Sequence, residues 1–127
     1  MDFVASKDAP KAIGPYSQAI KANGLLFTSG QIALDPTSGN IVAGDFAAQA
    51  RRVFENLRAV LREAQTDFNQ VVKATVYLTD LANFQTLNSI YGEYFGDHKP
   101  ARTTVGVSQL PRGSLVEIGR ASCRERV

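Results

Sequence analysis

The residues of this sequence best suited to chemistry lie in one stretch, from Pro100 to Ile118. Arg102 stands at the start of one predicted strand, and Glu117 stands near the end of the next. The segment Leu110-Pro111-Arg112-Gly113 between them has the composition of a turn, so we expect the two strands to lie side by side. A buried arginine and a buried carboxylate are expensive to desolvate. A small charged molecule bound between them would explain the pair.

Three further polar residues, Tyr16, Ser29 and Asn88, are candidates for the same site. Each candidate also has a structural explanation when it is taken singly. Arg102 suits a surface position, and Glu117 suits an outward-facing strand position because its neighbours in sequence are apolar. Tyr16 suits the edge of a core, Ser29 suits a strand end, and Asn88 is a mild misfit inside a helix. Local propensity does not bring the five residues together.

Several kinds of site are excluded by residue type. The sequence has one histidine, His98, and one cysteine, Cys123, and no spacing typical of a zinc or iron site. A nucleophile–histidine pair is not favoured, because His98 lies in a predicted loop where we expect it to be solvated. The sequence has no phosphate-binding glycine motif. We therefore predict a site without metal and without cofactor.

The 127 residues correspond to about one domain, and the 44% hydrophobic and 20% charged composition is typical of a globular protein. No apolar run reaches about 18 residues, and the first residues do not resemble a secretion signal. A single cysteine fits a reducing compartment, so we expect a cytoplasmic protein without a membrane segment.

The formal charge of +2 arises entirely from the last nine residues. Without Arg120, Arg124, Arg126 and Glu125, 11 basic residues face 11 acidic ones. A neutral body does not favour a nucleic-acid partner. The tail also interrupts a strand pattern abruptly. We therefore predict one domain over residues 1–118 and a non-native or disordered tail over residues 119–127.

Strands and helices alternate along the rest of the chain. Strands are predicted for Ser17–Ala22, Leu25–Ile32, Val71–Leu78 and the two halves of the opening stretch. Asn23-Gly24 predicts a tight hairpin. Helices are predicted after Asp45, which suits an N-cap, and over Leu81–Phe95. The order predicts an α+β fold with a mixed sheet and both helices on one face.

Consecutive apolar residues in two predicted strands, such as Leu25-Leu26-Phe27 and Val76-Tyr77-Leu78, indicate that both faces of the sheet need covering. Two helices cover only one face. Another copy of the same chain is the simplest cover for the second face. We therefore expect an obligate homo-oligomer.

Several motifs, in order, resemble those of the RidA family, also called the YjgF or reactive intermediate/imine deaminase family. Together these motifs span nearly all of Asp8 to Ile118. In chain order they are Ile13-Gly14-Pro15-Tyr16-Ser17-Gln18-Ala19; Phe27-Thr28-Ser29-Gly30-Gln31-Ile32; the helical residues Gln49, Phe54 and Asn56; Val72–Leu81; and Pro100-Ala101-Arg102-Thr103-Thr104-Val105 with Val116-Glu117-Ile118. The resemblance implies a chorismate-mutase-like fold and a homotrimer with pockets between subunits. It also implies hydrolysis of 2-iminobutanoate and 2-iminopropanoate to 2-oxo acids and ammonia.

The resemblance assigns a role to each candidate. Arg102 would bind the substrate carboxylate, because a planar guanidinium donates two parallel hydrogen bonds. Glu117 would be the general acid/base that acts on water, and Tyr16 would orient substrate or water. Ser29, Gly30, Asn88 and Thr104 would line the pocket.

The sequence departs from the family pattern at two places. Many members have cysteine where this chain has Thr104, which argues against thiol-dependent roles. The last strand usually continues with alternating residues, and Gly119-Arg120 here predicts a weakened strand end. Two other functions stay open. One is an RNA-cleaving translation inhibitor, which the neutral body argues against, and the other is a non-catalytic, chaperone-like or small-carboxylate binding protein, which retention of Arg102 argues against.

Overall fold

A computed structural model describes the backbone of residues 1–124 and the side chains of residues 1–119. The strands are β1 (Asp2–Val4), β2 (Ala19–Ala22), β3 (Leu25–Thr28), β4 (Val71–Leu78), β5 (Ala101–Gly106) and β6 (Val116–Arg124), and the helices are α1 (Phe46–Glu63) and α2 (Phe84–Phe95). Short 3-10 segments occupy 68–70, 81–83 and 111–113. Across residues 1–124, no helix is both long and apolar enough to cross a bilayer.

The strands form one sheet in the order β1-β2-β3-β6-β4-β5. Only the β4–β5 pair is parallel, and α2 makes the crossover between these two strands. Both helices pack on the same face, where the core includes Val53, Leu57, Val76 and Ile118. The predicted α+β fold with a mixed sheet and two helices on one face is confirmed.

Local turn and cap chemistry explains where the elements begin. Asn23 and Gly24 both have positive φ, as a two-residue type I′ turn requires, and they join β2 to β3. The Asp45 carboxylate accepts a 3.0 Å hydrogen bond from the Ala48 amide and caps α1. The Asp80 carboxylate similarly accepts from the Ala82 amide, at the 3-10 turn that leads into α2.

The expected neighbour relation of the last two strands is wrong. β6 does not lie beside β5, because β4 lies between them and β6 pairs with β3 on its other side. The predicted turn, Leu110-Pro111-Arg112-Gly113, contains a 3-10 segment over Pro111–Gly113 in which Arg112 has φ 59°. It directs the chain across β4 rather than back along β5.

Other differences are smaller. β1 was not predicted, β2 begins at Ala19 rather than Ser17, and β3 ends at Thr28, after which Gln31 makes an isolated bridge to Ile118. β6 continues to Arg124, beyond the point where a weakened strand was expected. Residues 125–127 lie outside the described residues. The boundary at residue 118 and the non-native origin of the tail stay predictions.

The sheet face opposite the helices carries exposed apolar side chains. Phe3, Ile20 and Phe27 are paired in register across β1, β2 and β3, and Phe3 and Phe27 are 71% and 46% exposed. Val105 on β5 is also exposed. Exposed aromatic residues on a sheet face are typical of an interface. The homo-oligomer expected from the sequence stays a proposal.

Candidate functional site

Arg102 extends from β5 onto helix α2, on the helix-covered face of the sheet. The Cζ atom of its guanidinium lies 4.8 Å from the ring centre of Tyr91 and 5.6 Å from that of Phe84. Cations are attracted to aromatic ring faces at these distances. In the described part of the chain, Arg102 has no ion pair and donates no hydrogen bond to protein. Its donor edge is therefore available to an anion.

A cavity of about 300 Å³ adjoins Arg102. Its lining includes Asn88, Tyr91 and His98 as well as Arg102. The Oδ1 atom of Asn88 and the hydroxyl of Tyr91 are buried without a hydrogen-bond partner. The Thr104 hydroxyl, two residues after Arg102 on the same side of β5, is also buried and unpartnered. Buried polar atoms are usually satisfied by protein, water or ligand, so this surface is suited to a polar ligand.

His98 differs from the sequence expectation. It is half-buried rather than solvated, and its Nε2 atom lies 2.6 Å from the carbonyl oxygen of Val71. Its ring lies near Phe95 in the cluster that also holds Tyr91. The hydrogen bond ties the loop before β5 to the start of β4, and it thereby fixes the approach of the chain to Arg102.

Glu117 lies on the opposite face of the sheet. Its neighbours Val116 and Ile118 are buried in the core, so the side chain of Glu117 points away from the helices. In the β4–β6 register Glu117 pairs with Tyr77. A cavity of about 540 Å³ adjoins it, with Tyr16, Ser29 and Gly30 among the lining residues.

Hydrogen bonds fix the segment that faces Glu117. The Ser29 hydroxyl donates to the carbonyl oxygen of Ser17 at 2.5 Å. The amides of Gln31 and Ile118 each donate to the other residue's carbonyl, at 2.8 and 3.1 Å. Asn56, which is fully buried on α1, donates to the carbonyls of Ile32 and Leu34. Gly30 is therefore held against β6 from both sides.

The carboxylate of Glu117 packs directly on Gly30. A methyl group built on Gly30 would lie 2.7 Å from Oε2 of Glu117, so only glycine leaves room for the carboxylate in this position. Burial raises the pKa of Glu117 above its ordinary value of 4.5. A carboxyl group whose pKa moves toward neutrality is suited to accept and return a proton.

The predicted site residues thus form two groups. Tyr16, Ser29, Gly30 and Glu117 adjoin one cavity, while Asn88 and Arg102 adjoin another, with Thr104 beside Arg102 on β5. The two groups are on opposite faces of one sheet, so a single chain does not bring Arg102 and Glu117 together. Sequence reasoning missed Tyr91 and Phe84. The spacing of Tyr91, three residues after Asn88 on α2, is the signal that places both on one helix face.

No group of three or more histidine, cysteine or carboxylate residues with metal-binding geometry occurs among the described side chains.

Comparisons with known proteins give one family. The family model described as Endoribonuclease L-PSP matches residues 6–122. A RutC family protein of Pyrococcus abyssi is 49% identical over 124 residues, covering 98% of each chain. The 2-iminobutanoate/2-iminopropanoate deaminase of Mus musculus is 47% identical, covering 91% of this chain and 85% of the mouse protein. The crystal structure of RidA from an Antarctic Psychrobacter species is similar with a TM-score of 0.93 at 38% identity, covering 98% of this chain and 99% of that one.

Proposed function

We propose, from the premise that this chain belongs to the endoribonuclease L-PSP or RidA family, that it hydrolyses 2-imino acids to 2-oxo acids and ammonia. 2-Iminobutanoate and 2-iminopropanoate are the expected substrates. The observation that carries the proposal is Arg102, a half-buried guanidinium without a carboxylate partner in the described chain. Such a group is suited to bind a small carboxylate.

Arg102 would bind the substrate carboxylate through two parallel hydrogen bonds. This contact would hold the imine carbon, C2, in a fixed position in the site. Such positioning supplies much of the rate acceleration in a reaction of this kind. The Asn88 and Thr104 side chains, whose buried oxygens lack partners, would complete the polar surface next to Arg102. Tyr16, which is half-exposed at the other cavity, would donate its phenolic hydrogen to substrate or water.

Glu117 would handle the proton. Its carboxylate would accept a proton from water as the water oxygen bonds to C2 of the protonated imine, which gives a carbinolamine. Glu117 would then pass this proton to the nitrogen, which makes ammonia the leaving group. The C–N bond would break as the regenerated Glu117 carboxylate accepts the hydroxyl proton and the C=O bond forms. Ammonia and the 2-oxo acid leave. The raised pKa of Glu117 supports this two-way transfer.

A complete site would need two copies of the chain. Arg102 and Glu117 face opposite sides of the sheet, so we propose that the Arg102 group of one subunit meets the Glu117 group of the next in a homotrimer. The exposed Phe3 and Phe27, on the same face as Glu117, support a subunit interface there.

The test is ammonia release from 2-iminobutanoate generated by a threonine dehydratase. We expect the protein to accelerate release, and Arg102→Ala to lower kcat/KM by about 10²-fold or more, since it removes two charge-assisted hydrogen bonds. Arg102→Lys should restore little, because an ammonium lacks the planar fork. Arg51→Ala, which removes an exposed arginine paired with Glu93 on the helices, is the matched control and should be unchanged.

Three results would contradict the proposal. An unchanged rate in Arg102→Ala would remove the role of that residue. Binding of 2-oxobutanoate without acceleration of imine hydrolysis would favour a binding protein instead. RNA cleavage that depends on Arg102 and persists through purification would favour a ribonuclease.

A further inference from the structure

Tyr91 contacts Arg102 but takes no part in the reaction proposed above. It is 9% exposed, and its ring centre lies 4.8 Å from Cζ of the Arg102 guanidinium. Phe84, at the start of the same helix, is 37% exposed, and its ring centre lies farther from Cζ, at 5.6 Å. The closer and more buried ring therefore dominates the contact.

The Tyr91 ring is itself fixed by packing. It stacks on Phe95 with ring centres 4.3 Å apart and meets Phe54 edge-on at 5.8 Å. Burial raises the pKa of Tyr91, although the Arg102 charge opposes this effect, so the phenol stays neutral near pH 7. Arg102 therefore rests on a rigid, neutral aromatic surface rather than on a counter-ion.

This arrangement solves a specific problem for an arginine that must bind an anion. A carboxylate partner would hold the guanidinium but would occupy the donors needed by the ligand. A ring attracts the charge through its face and leaves the N–H groups free. The ring also restricts the Arg102 side chain before a ligand binds, so less conformational entropy is lost on binding.

We propose that Tyr91 is a positioning residue for Arg102, whose aromatic ring holds the guanidinium in place while its donor edge stays free for the substrate carboxylate. This inference rests on the proposed function, because it takes the 2-imino acid as the ligand of Arg102. The ring carries the effect. The unpartnered Tyr91 hydroxyl is not required for it.

The experiment compares Tyr91→Leu with Tyr91→Phe. The leucine variant keeps an apolar side chain and removes the ring, whereas the phenylalanine variant keeps the ring and removes the hydroxyl. Phe68→Leu is the matched control, because Phe68 packs in the same aromatic cluster without contacting Arg102. Calorimetric titration with 2-oxobutanoate gives Kd, the ammonia assay separates KM from kcat, and a melting curve reports folding.

We expect Tyr91→Leu to raise Kd and KM by about 5- to 30-fold with little change in kcat. Tyr91→Phe and Phe68→Leu should stay within about twofold of the original protein. Should Tyr91→Leu not fold, Phe84→Leu, at a partly exposed position, should give a smaller rise in the same direction.

Three results are decisive. If the unaltered protein neither binds 2-oxobutanoate nor hydrolyses the imine, the proposed function itself fails. If the unaltered protein does both and Tyr91→Leu matches it, only the role of Tyr91 is overturned. If Tyr91→Phe loses as much affinity as Tyr91→Leu, the hydroxyl is responsible and the ring is not.

Discussion

Replacing Gly30 by alanine places a methyl group against the carboxylate of Glu117. The new Cβ would lie 2.7 Å from Oε2 and 2.9 Å from Cδ of Glu117. Gly30 has little freedom to retreat, because two backbone hydrogen bonds hold the adjacent Gln31 to Ile118 of β6. The Glu117 side chain must therefore move.

The size of this movement sets the expected loss. Ordinary van der Waals contact begins at 3.4 Å, so the carboxylate must retreat from 2.7 to 3.4 Å, by about 0.7 Å. A misplacement of about 1 Å lowers an enzymatic rate by about 10²-fold. We therefore expect Gly30→Ala to lower kcat/KM by about 10- to 100-fold, or about 1.4 to 2.7 kcal/mol of transition-state stabilisation.

The fold should tolerate the change. The backbone of Gly30 is outside the positive-φ region, so alanine fits it. Restricting the unfolded chain then favours the native state by about 0.4 to 1 kcal/mol, which offsets some of the crowding. We expect the free energy of unfolding to change by less than about 1 kcal/mol, so the melting temperature should stay within a few degrees of the original.

The assay is ammonia release from 2-iminobutanoate, measured for Gly30→Ala, Glu117→Ala and the double variant. Because the methyl group acts through the Glu117 carboxylate, adding Gly30→Ala to Glu117→Ala should change little, so the two effects should not add. Full activity in a folded Gly30→Ala protein would refute the placement of Glu117. Additive losses would refute the mechanism of the effect.

Two further predictions concern stability. Burial raises the folded-state pKa of Glu117, so the carboxyl group destabilises the fold once it ionises. In urea unfolding at fixed protein concentration, the free energy of unfolding of Glu117→Gln should therefore exceed that of the original by a margin that grows from about pH 4 to about pH 7. A constant or shrinking margin would contradict the desolvation of Glu117. Asn56→Ala removes both hydrogen bonds to the Ile32 and Leu34 carbonyls and should lower the free energy of unfolding by about 1 to 3 kcal/mol. The control Asn40→Ala, at an exposed position, should change it by less than about 0.5 kcal/mol. Equal effects of the two substitutions would show that the Asn56 hydrogen bonds do not stabilise the fold.

Local elements could be predicted because their causes are local. The Asn23-Gly24 turn has the backbone angles that those two residues favour, and Asp45 caps α1 through an amide three residues away. The parallel β4–α2–β5 unit follows from its crossover helix. β1 was missed because a three-residue strand with two exposed residues and one buried residue is too short to show a clear pattern.

Strand order could not be predicted from the same signals. Val116-Glu117-Ile118 alternates correctly for a strand, but alternation does not state which strand is its neighbour. The insertion of β6 between β3 and β4 depends on contacts far apart in sequence, such as the pairing of Gln31 with Ile118. The turn residues at Pro111–Gly113 were compatible with a hairpin that the chain does not make.

The site residues were identified through family motifs, because no local property of Arg102 or Glu117 separates them from surface charges. Their division between two sheet faces was beyond the sequence, since it follows from β4 lying between β5 and β6. The support of Arg102 by Tyr91 was equally hidden, because an aromatic residue at helical spacing is most often part of the core.

The central claim is that Arg102 of one subunit and Glu117 of another form one site, and mixed oligomers test it most directly. Arg102→Ala and Glu117→Gln chains, each nearly inactive alone, are denatured together and refolded at equal concentrations. Random mixing places an intact Arg102 opposite an intact Glu117 at about a quarter of the sites, so the account predicts about a quarter of the original ammonia-release activity. No recovery of activity in well-mixed, correctly folded oligomers would contradict it.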